Sequence, residues 1–223
     1  LKPWERLGEA KTPDGAPLQL MRRDTEYVIL VDGQSLMTNR MHGSEDALAT
    51  LTCAHLRKAQ APCVLIGGLG MGFTLRAALD LLPKSATVVV SELMPAVVEW
   101  NRGPLAPLAG HPLDDPRVTI DLRNVRATLG ASTDRFDAVL LDVDHSPEEF
   151  FTSANAALYG DTGLFAVRTA LKFGGVLGVW SVSESKTFSQ RLRFAGFTVK
   201  VERVPARGTQ RGPRHVIFLA RNG

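Results

Sequence analysis

The stretch VLIGGLGMGFTL, residues 64 to 75, constrains this chain more than any other. A β-branched, apolar run of Val64, Leu65 and Ile66 ends in four glycines within six residues, Gly67, Gly68, Gly70 and Gly72. An apolar, helix-compatible segment follows at once, so the pattern reads as strand, glycine turn, helix. Such a turn needs residues that tolerate positive φ and lack a Cβ, so that backbone can approach a ligand. The N–H groups and positive dipole of the next helix then face a docked anionic or polar group. A nucleotide or nucleoside fits that description; a tight turn without a ligand is the alternative the glycines alone leave open. The next strand-like run, Thr87 to Val90, ends in Ser91-Glu92. That places an acid about 20 residues beyond the loop, where βαβ nucleoside binders hold ribose hydroxyls with a carboxylate. Glu92 is the ribose candidate, against the alternative of a solvated acid at a strand end.

Beyond the loop the elements alternate. Strands are expected at 64–67, 86–91, 117–121 and 136–142, with helices at 73–82, 95–102, 124–129 and 147–158. Repeated βα units of this kind make a parallel sheet covered on both faces. Ahead of the loop, from Leu18 to about Thr38, LQLMRR, EYVILV and SLMT are separated by Asp24-Thr25 and Asp32-Gly33, turn signals that join antiparallel strands. Ser44 precedes Glu45, Asp46 and the series Ala47, Leu48, Leu51, Leu56, which reads as a helix capped by Ser44. Residues 1–43 are therefore read as a small N-terminal β-strand unit and 44–223 as an α/β domain. After a helix at 163–172 come a Gly174-Gly175 turn, the strand VLGVWSV, and a helix from about Glu184 to Phe194. Two strands, FTVKVERV and HVIFLAR, then form a hairpin that closes the sheet.

With 223 residues and 44% apolar content the chain can bury a large core. A net charge of +3, with basic residues scattered apart from an Arg207, Arg211, Arg214 loop, gives no reason to expect nucleic acid as a partner. Cys53 and Cys63 form neither a CxxC pair nor a zinc set, and are expected as reduced, buried thiols. His42, His55, His111 and His215 show no ligand spacing, so no metal is expected. Trp100, Trp180 and Phe173 read as core. No apolar run approaches the ~20 residues that cross a bilayer, and no signal-peptide pattern opens the chain, so the expectation is a cytoplasmic protein with no membrane partner.

A seven-stranded, mostly parallel sheet whose last strand is antiparallel, with a glycine loop after its first strand, resembles the Rossmann-like class I S-adenosylmethionine-dependent methyltransferase fold. Within it the chain resembles the spermidine synthase (polyamine aminopropyltransferase) family over most of its length. The likeness rests on VDG before a helix carrying SE in place of the family's YHE, on VLIGGLGMGFTLRAAL against a GGGDGG-type loop, and on the acid-ended second strand. DDPRVTI, FDAVLLDVDHSP against a strand ending in DSSDP, and GLFAVRTALKFGGVLGVWS extend it.

The resemblance implies an S-adenosylmethionine or decarboxylated S-adenosylmethionine co-substrate, no metal, a small amine or other small nucleophile as acceptor, and a homodimer. Gly67, Gly68, Gly70, Gly72, Glu92 and Asn124 would hold the nucleoside; Asn124 stands near the family's adenine-reading acid. Asp142, the first acid of the family's DxxD motif, is the catalytic candidate at the carboxyl edge of its strand. Gln34, Glu45, Asp144 and His145 are the substrate-binding candidates. The chain departs from the pattern at Leu69, where the family's loop aspartate contacts the donor's amino-acid-derived end, and at His145, where the second DxxD aspartate would fall. The segment between Leu164 and Gly174 is shorter than the family's and lacks an aromatic pair that lines the amine pocket. The expected activity is aminopropyl transfer to a small amine. A methyltransferase using the intact donor, favoured by the missing loop acid, and a catalytically degenerate nucleoside binder are the alternatives.

Overall fold

The computed structural model describes residues 2–143, 157–207 and 212–223. The chain opens with four antiparallel strands, β1 (Glu5–Lys11), β2 (Pro17–Arg23), β3 (Glu26–Val31) and β4 (Gln34–Thr38), paired in sequence order. Helix α1 (Gly43–Cys53) leads to β5 (Cys63–Gly67), after which α2 (Phe73–Leu81), β6 (Thr87–Ser91), α3 (Pro95–Arg102), β7 (Val118–Asp121), α4 (Val125–Gly130) and β8 (Phe136–Leu141) follow. Then come α5 (Asp161–Ala170), β9 (Leu171–Ser181), α6 (Lys186–Phe194), β10 (Phe197–Pro205) and β11 (Arg214–Asn222). The second sheet has seven strands in the order β10-β11-β9-β8-β5-β6-β7. The last strand of the chain, β11, is antiparallel to both β9 and β10 and is inserted between them.

The central strands are apolar throughout because both faces are covered. Side chains alternate across the pleat. Val64 and Ile66 of β5, Val88 and Val90 of β6, and Ala138 and Leu140 of β8 enter a core shared with α1, α2, α3 and the small sheet. Leu65, Val89 and Val139 enter a second core with α4, α5 and α6. Through the first core Leu18, Leu20 and Ile29 of the small sheet pack in a common interior with Trp100 of α3. The small sheet is thereby held over the carboxyl ends of the parallel strands.

Several expectations change in contact with the structure. Strand β1 is absent from the sequence reading because ERLGEAK carries no clean alternation; its partner β2 and the ring of Trp100 against Gly8 hold it. The Gly174-Gly175 turn is a bulge within β9. A step of two residues on β8, from Phe136 to Ala138, faces a step of five on β9, from Leu171 to Val176. The bulge throws Phe173 outward, 86% exposed rather than in the core, while Trp100 is buried and Trp180 is half-buried. Ser44 does not cap α1: the N-cap is His42, without a side-chain bond, and Ser44 lies inside the first turn. Both cysteines are free, Cys53 buried and Cys63 half-buried, so only the first meets the expectation of a buried thiol. The helix expected at 147–158, with Asp144 and His145 before it, falls almost wholly outside the described residues.

Candidate active site

Between the carboxyl edge of the parallel sheet and the small β sheet lies a cavity of about 450 Å³. That is within the range of sites for small molecules. Its floor is built by Gly68, Gly70, Ser91, Glu92, Asn124 and Asp142 from the strand ends; its roof by Leu18, Ile29, Val31, Ser35, Leu36, Met37 and Thr38 from β2, β3 and β4. Trp180, Val182 and His215 line it from β9 and β11.

At one end the glycine loop is pinned by backbone. Gly68 N–H donates to the Ser91 carbonyl at 2.9 Å, and Asp142 N–H donates to the Gly67 carbonyl at 3.1 Å. Gly68 has φ +88°, and a Cβ there would stand 2.5 Å from the Asp142 carbonyl oxygen, so only glycine fits. Glu92 ends β6 and is 8% exposed. Its Oε2 accepts the Leu69 N–H and its Oε1 accepts the Met94 N–H, both at 2.8 Å. Burial pushes the Glu92 carboxyl above its ordinary value while those backbone N–H groups pull it back. Glu92 therefore fixes the loop, and it also lines the cavity wall. Asn124 also lines the cavity, and its Oδ1 caps α4 by accepting the Arg126 N–H at 2.9 Å.

At the other end two acids meet. Asp142 Oδ2 accepts a hydrogen bond from Thr74 Oγ1 at 3.2 Å, in the first turn of α2. The positive end of that helix, where the sequence suggested a ligand anion, thus holds a carboxylate of the protein itself. Burial raises the Asp142 carboxyl despite the Thr74 bond. Glu45, from α1, is raised too, first by burial and then by the Asp142 charge beside it. Like charges this close in a poorly solvated site favour sharing a proton. Ser44 Oγ donates to Glu45 Oε2 at 2.6 Å and lies 2.9 Å from His215 Nδ1. The His215 ring meets Trp180 edge to face, with centroids 4.7 Å apart, and burial lowers the tendency of His215 to protonate.

Of the sequence candidates, Gly68, Gly70, Glu92, Asn124, Glu45 and Asp142 converge on this cavity. Gly67 lies beneath it, facing Val125 and Leu141, and Gly72 caps α2 facing Asn101 and Pro112, so both shape the loop without lining the site. Gln34 is exposed at the start of β4 and the wall is made by its successors from Ser35 on. Asp144 and His145 are outside the described residues. Thr74, Ser44, His215, Trp180 and Asp14 were not anticipated here. Ser44 and His215 are 171 positions apart in the chain, so no local spacing could have joined them. Leu69, at the position of the family's loop acid, is 4% exposed and packs into the core. It also lines a small side cavity of about 20 Å³ with Met37, Thr38, Glu45, Thr74 and Asp142.

No protein-family model and no curated protein sequence matches the chain. Solved structures do. A spermidine synthase in complex with the transition-state analogue AdoDATO matches with a TM-score of 0.74 at 20% identity, over 98% of this chain and 72% of that one. Spermidine synthase from Thermotoga maritima gives 0.75 at 21% identity, over 98% and 73%. A probable spermidine synthase from Corynebacterium glutamicum ATCC 13032 gives 0.66 at 16% identity, over 97% and 80%. The chain has the fold of these proteins, including both the small antiparallel sheet and the seven-stranded sheet.

Proposed function

We propose that this protein is a spermidine synthase-like transferase that moves an aminopropyl group from decarboxylated S-adenosylmethionine to a small amine. One observation carries the choice of donor. Every ionisable side chain lining the cavity is acidic, Asp14, Glu45, Glu92 and Asp142, except His215, and no Lys or Arg lines it among the described residues. Of the internal stretches outside the described residues, 144–156 (DHSPEEFFTSANA) contains none and 208–211 contains Arg211. A sulfonium with an aminopropyl tail and a protonated amine are cations that such a site attracts. The α-carboxylate of intact S-adenosylmethionine would meet acids and no counter-charge. The exchange of the loop acid for Leu69 therefore does not turn the site toward the intact donor, because the Glu45 and Asp142 pair keeps acids on the side cavity that Leu69 lines. The solved spermidine synthase bound to AdoDATO supports the same reading.

In the reaction the amine nitrogen forms a bond to the carbon attached to sulfur as the C–S bond breaks and sulfur departs as a neutral thioether. One proton leaves the nitrogen. Sulfonium is already a good leaving group, so alignment of nitrogen, carbon and sulfur supplies most of the rate. The Glu45 and Asp142 pair draws the amine in as a cation, takes a proton to expose its lone pair, and faces the positive sulfur. Nucleoside recognition falls to Gly68, Gly70, Glu92 and Asn124. The test is incubation of the purified protein with decarboxylated S-adenosylmethionine and a panel of linear diamines and polyamines. Methylthioadenosine should appear only when an acceptor amine is present. Methyl transfer from the intact donor, with no aminopropyl product, would overturn the reading.

A further inference from the structure

Glu45, Ser44 and His215 make a hydrogen-bonded chain that leads from the acid pair to the β9–β11 wall of the cavity. Ser44 is fully buried and carries one hydroxyl proton, so it can donate to only one of its two partners at a time. When Glu45 is ionised, Ser44 donates to it and must accept from His215, which then carries its proton on Nδ1. When Glu45 is protonated it can donate to Ser44, and Ser44 donates to a bare Nδ1, leaving the imidazole proton on Nε2. The second arrangement holds one proton more than the first. Moving that proton from Glu45 through Ser44 to Nδ1, and releasing the Nε2 proton, converts the second into the first.

The geometry points to a proton relay in which His215, acting through Ser44, removes from Glu45 the proton that the acid pair takes from the acceptor amine. This rests on the alkyl-transfer reading above. Its steps balance: protonated Glu45 passes its proton to the Ser44 oxygen while the Ser44 proton moves to Nδ1 of neutral His215. The result is a Glu45 carboxylate and an imidazolium, which then loses its Nε2 proton to solvent and returns the pair to its proton-accepting state. His215 is half-buried, and burial lowers its affinity for protons, so the imidazolium discharges readily. The acids beside Glu45 and the burial of His215 make the transfer itself uphill, and loss of the imidazolium proton to solvent draws it forward. Asp46 and Glu45 on α1 and Asp142 at the end of β8 are all acidic. The flanking strands carry Lys200, Glu202 and Arg203 on β10, Arg214 and Arg221 on β11 and Lys172 on β9, and Trp180 on β9 packs against the ring. His215 touches no reacting atom in this scheme; it is a positioning residue that resets Glu45.

The chain has five histidines, so ¹⁵N resonances of the imidazoles can be followed individually, with His215→Gln assigning its signal. In the unliganded parent protein His215 should change tautomer, from Nε2–H to Nδ1–H, as pH rises through the ionisation of Glu45. The change should vanish in Ser44→Ala and in Glu45→Gln. A tautomer constant over that range, or a switch that survives Ser44→Ala, would overturn the relay. Because this measurement uses no substrate, it separates failure of the relay from failure of the proposed activity. In turnover, His215→Gln should lower kcat about tenfold, less than the ~10²-fold of a direct general base, with methylthioadenosine affinity unchanged. Equal effects on affinity and kcat would make His215 a wall of the binding site and defeat the relay.

Discussion

The two ends of the cavity are built on opposite principles. The glycine-loop end, where we propose the nucleoside sits, is one contiguous βαβ unit: Gly68, Gly70 and Glu92 lie within 25 residues of chain and are fixed mainly by hydrogen bonds to backbone groups. The acid end is assembled from α1, α2, β8, β9 and β11, and its side chains hold one another. The first is a cradle held by backbone hydrogen bonds and by one buried carboxylate, Glu92. The second is a set of titrating groups whose bonding depends on which of them holds a proton. On the proposed function, binding and chemistry are separated within a single cavity, and substitutions should divide accordingly.

The sharpest division is expected at Asp142. Asp142→Asn keeps the Thr74 contact sterically possible but deletes the charge, and kcat should fall on the order of 10²-fold or more with nucleoside affinity changed much less. Near-parent turnover would leave Asp142 structural, and a matching loss of affinity would erase the contrast between the two ends. Next in size is Glu92→Ala. It removes the acceptor from two backbone N–H groups as well as from the ribose side, so methylthioadenosine binding should weaken by the roughly 1.5–3 kcal/mol typical of hydrogen bonds to a charged group. Calorimetry that finds unchanged affinity would take Glu92 out of the ligand site and leave it a brace for the loop.

The smallest effect concerns stability and pH. The Glu45 carboxyl is raised in the folded protein by burial and by Asp142. In the unfolded chain it ionises in the ordinary carboxylate range, so the folded state binds more protons between that range and its own higher value. The stability this proton contributes is fully present in acid and is lost as pH rises through the folded value. Glu45→Gln should remove that loss and be more stable than the parent at alkaline pH by about 1 kcal/mol, or roughly 2–4 °C in Tm. Parallel Tm-against-pH curves for parent and variant would show that the acid pair is well solvated and that the two ends do not differ in this way.

The same division explains what the sequence disclosed. The parallel strands, the glycine loop, Glu92 and Asp142 were legible because each is a local pattern: apolar runs, glycines needing positive φ, acids at strand ends. Ser44 was legible as a residue near a helix start but not in its role, since the cap it would supply is replaced by a bond to His215, reached only when β11 is inserted beside β9. Trp180 read as core because nothing in VLGVWSV tells that its strand ends at a cavity. Gln34 is the converse case: it is exposed at the start of β4, and the roof is formed by Ser35 to Thr38, further along the strand. Tertiary pairing decides such residues, and no window of sequence contains it.

The central claim is that the acid end selects a donor whose tail bears a positive charge and no carboxylate. Calorimetric titration of the parent protein with decarboxylated and with intact S-adenosylmethionine, repeated in buffers of different ionisation enthalpy, tests it most directly. The decarboxylated donor should bind at least about tenfold more tightly, a difference of ~1.4 kcal/mol, and should release protons as the incoming cation lowers the raised carboxyls of Glu45 and Asp142. Equal or tighter binding of the intact donor, or binding without proton release, would contradict the account.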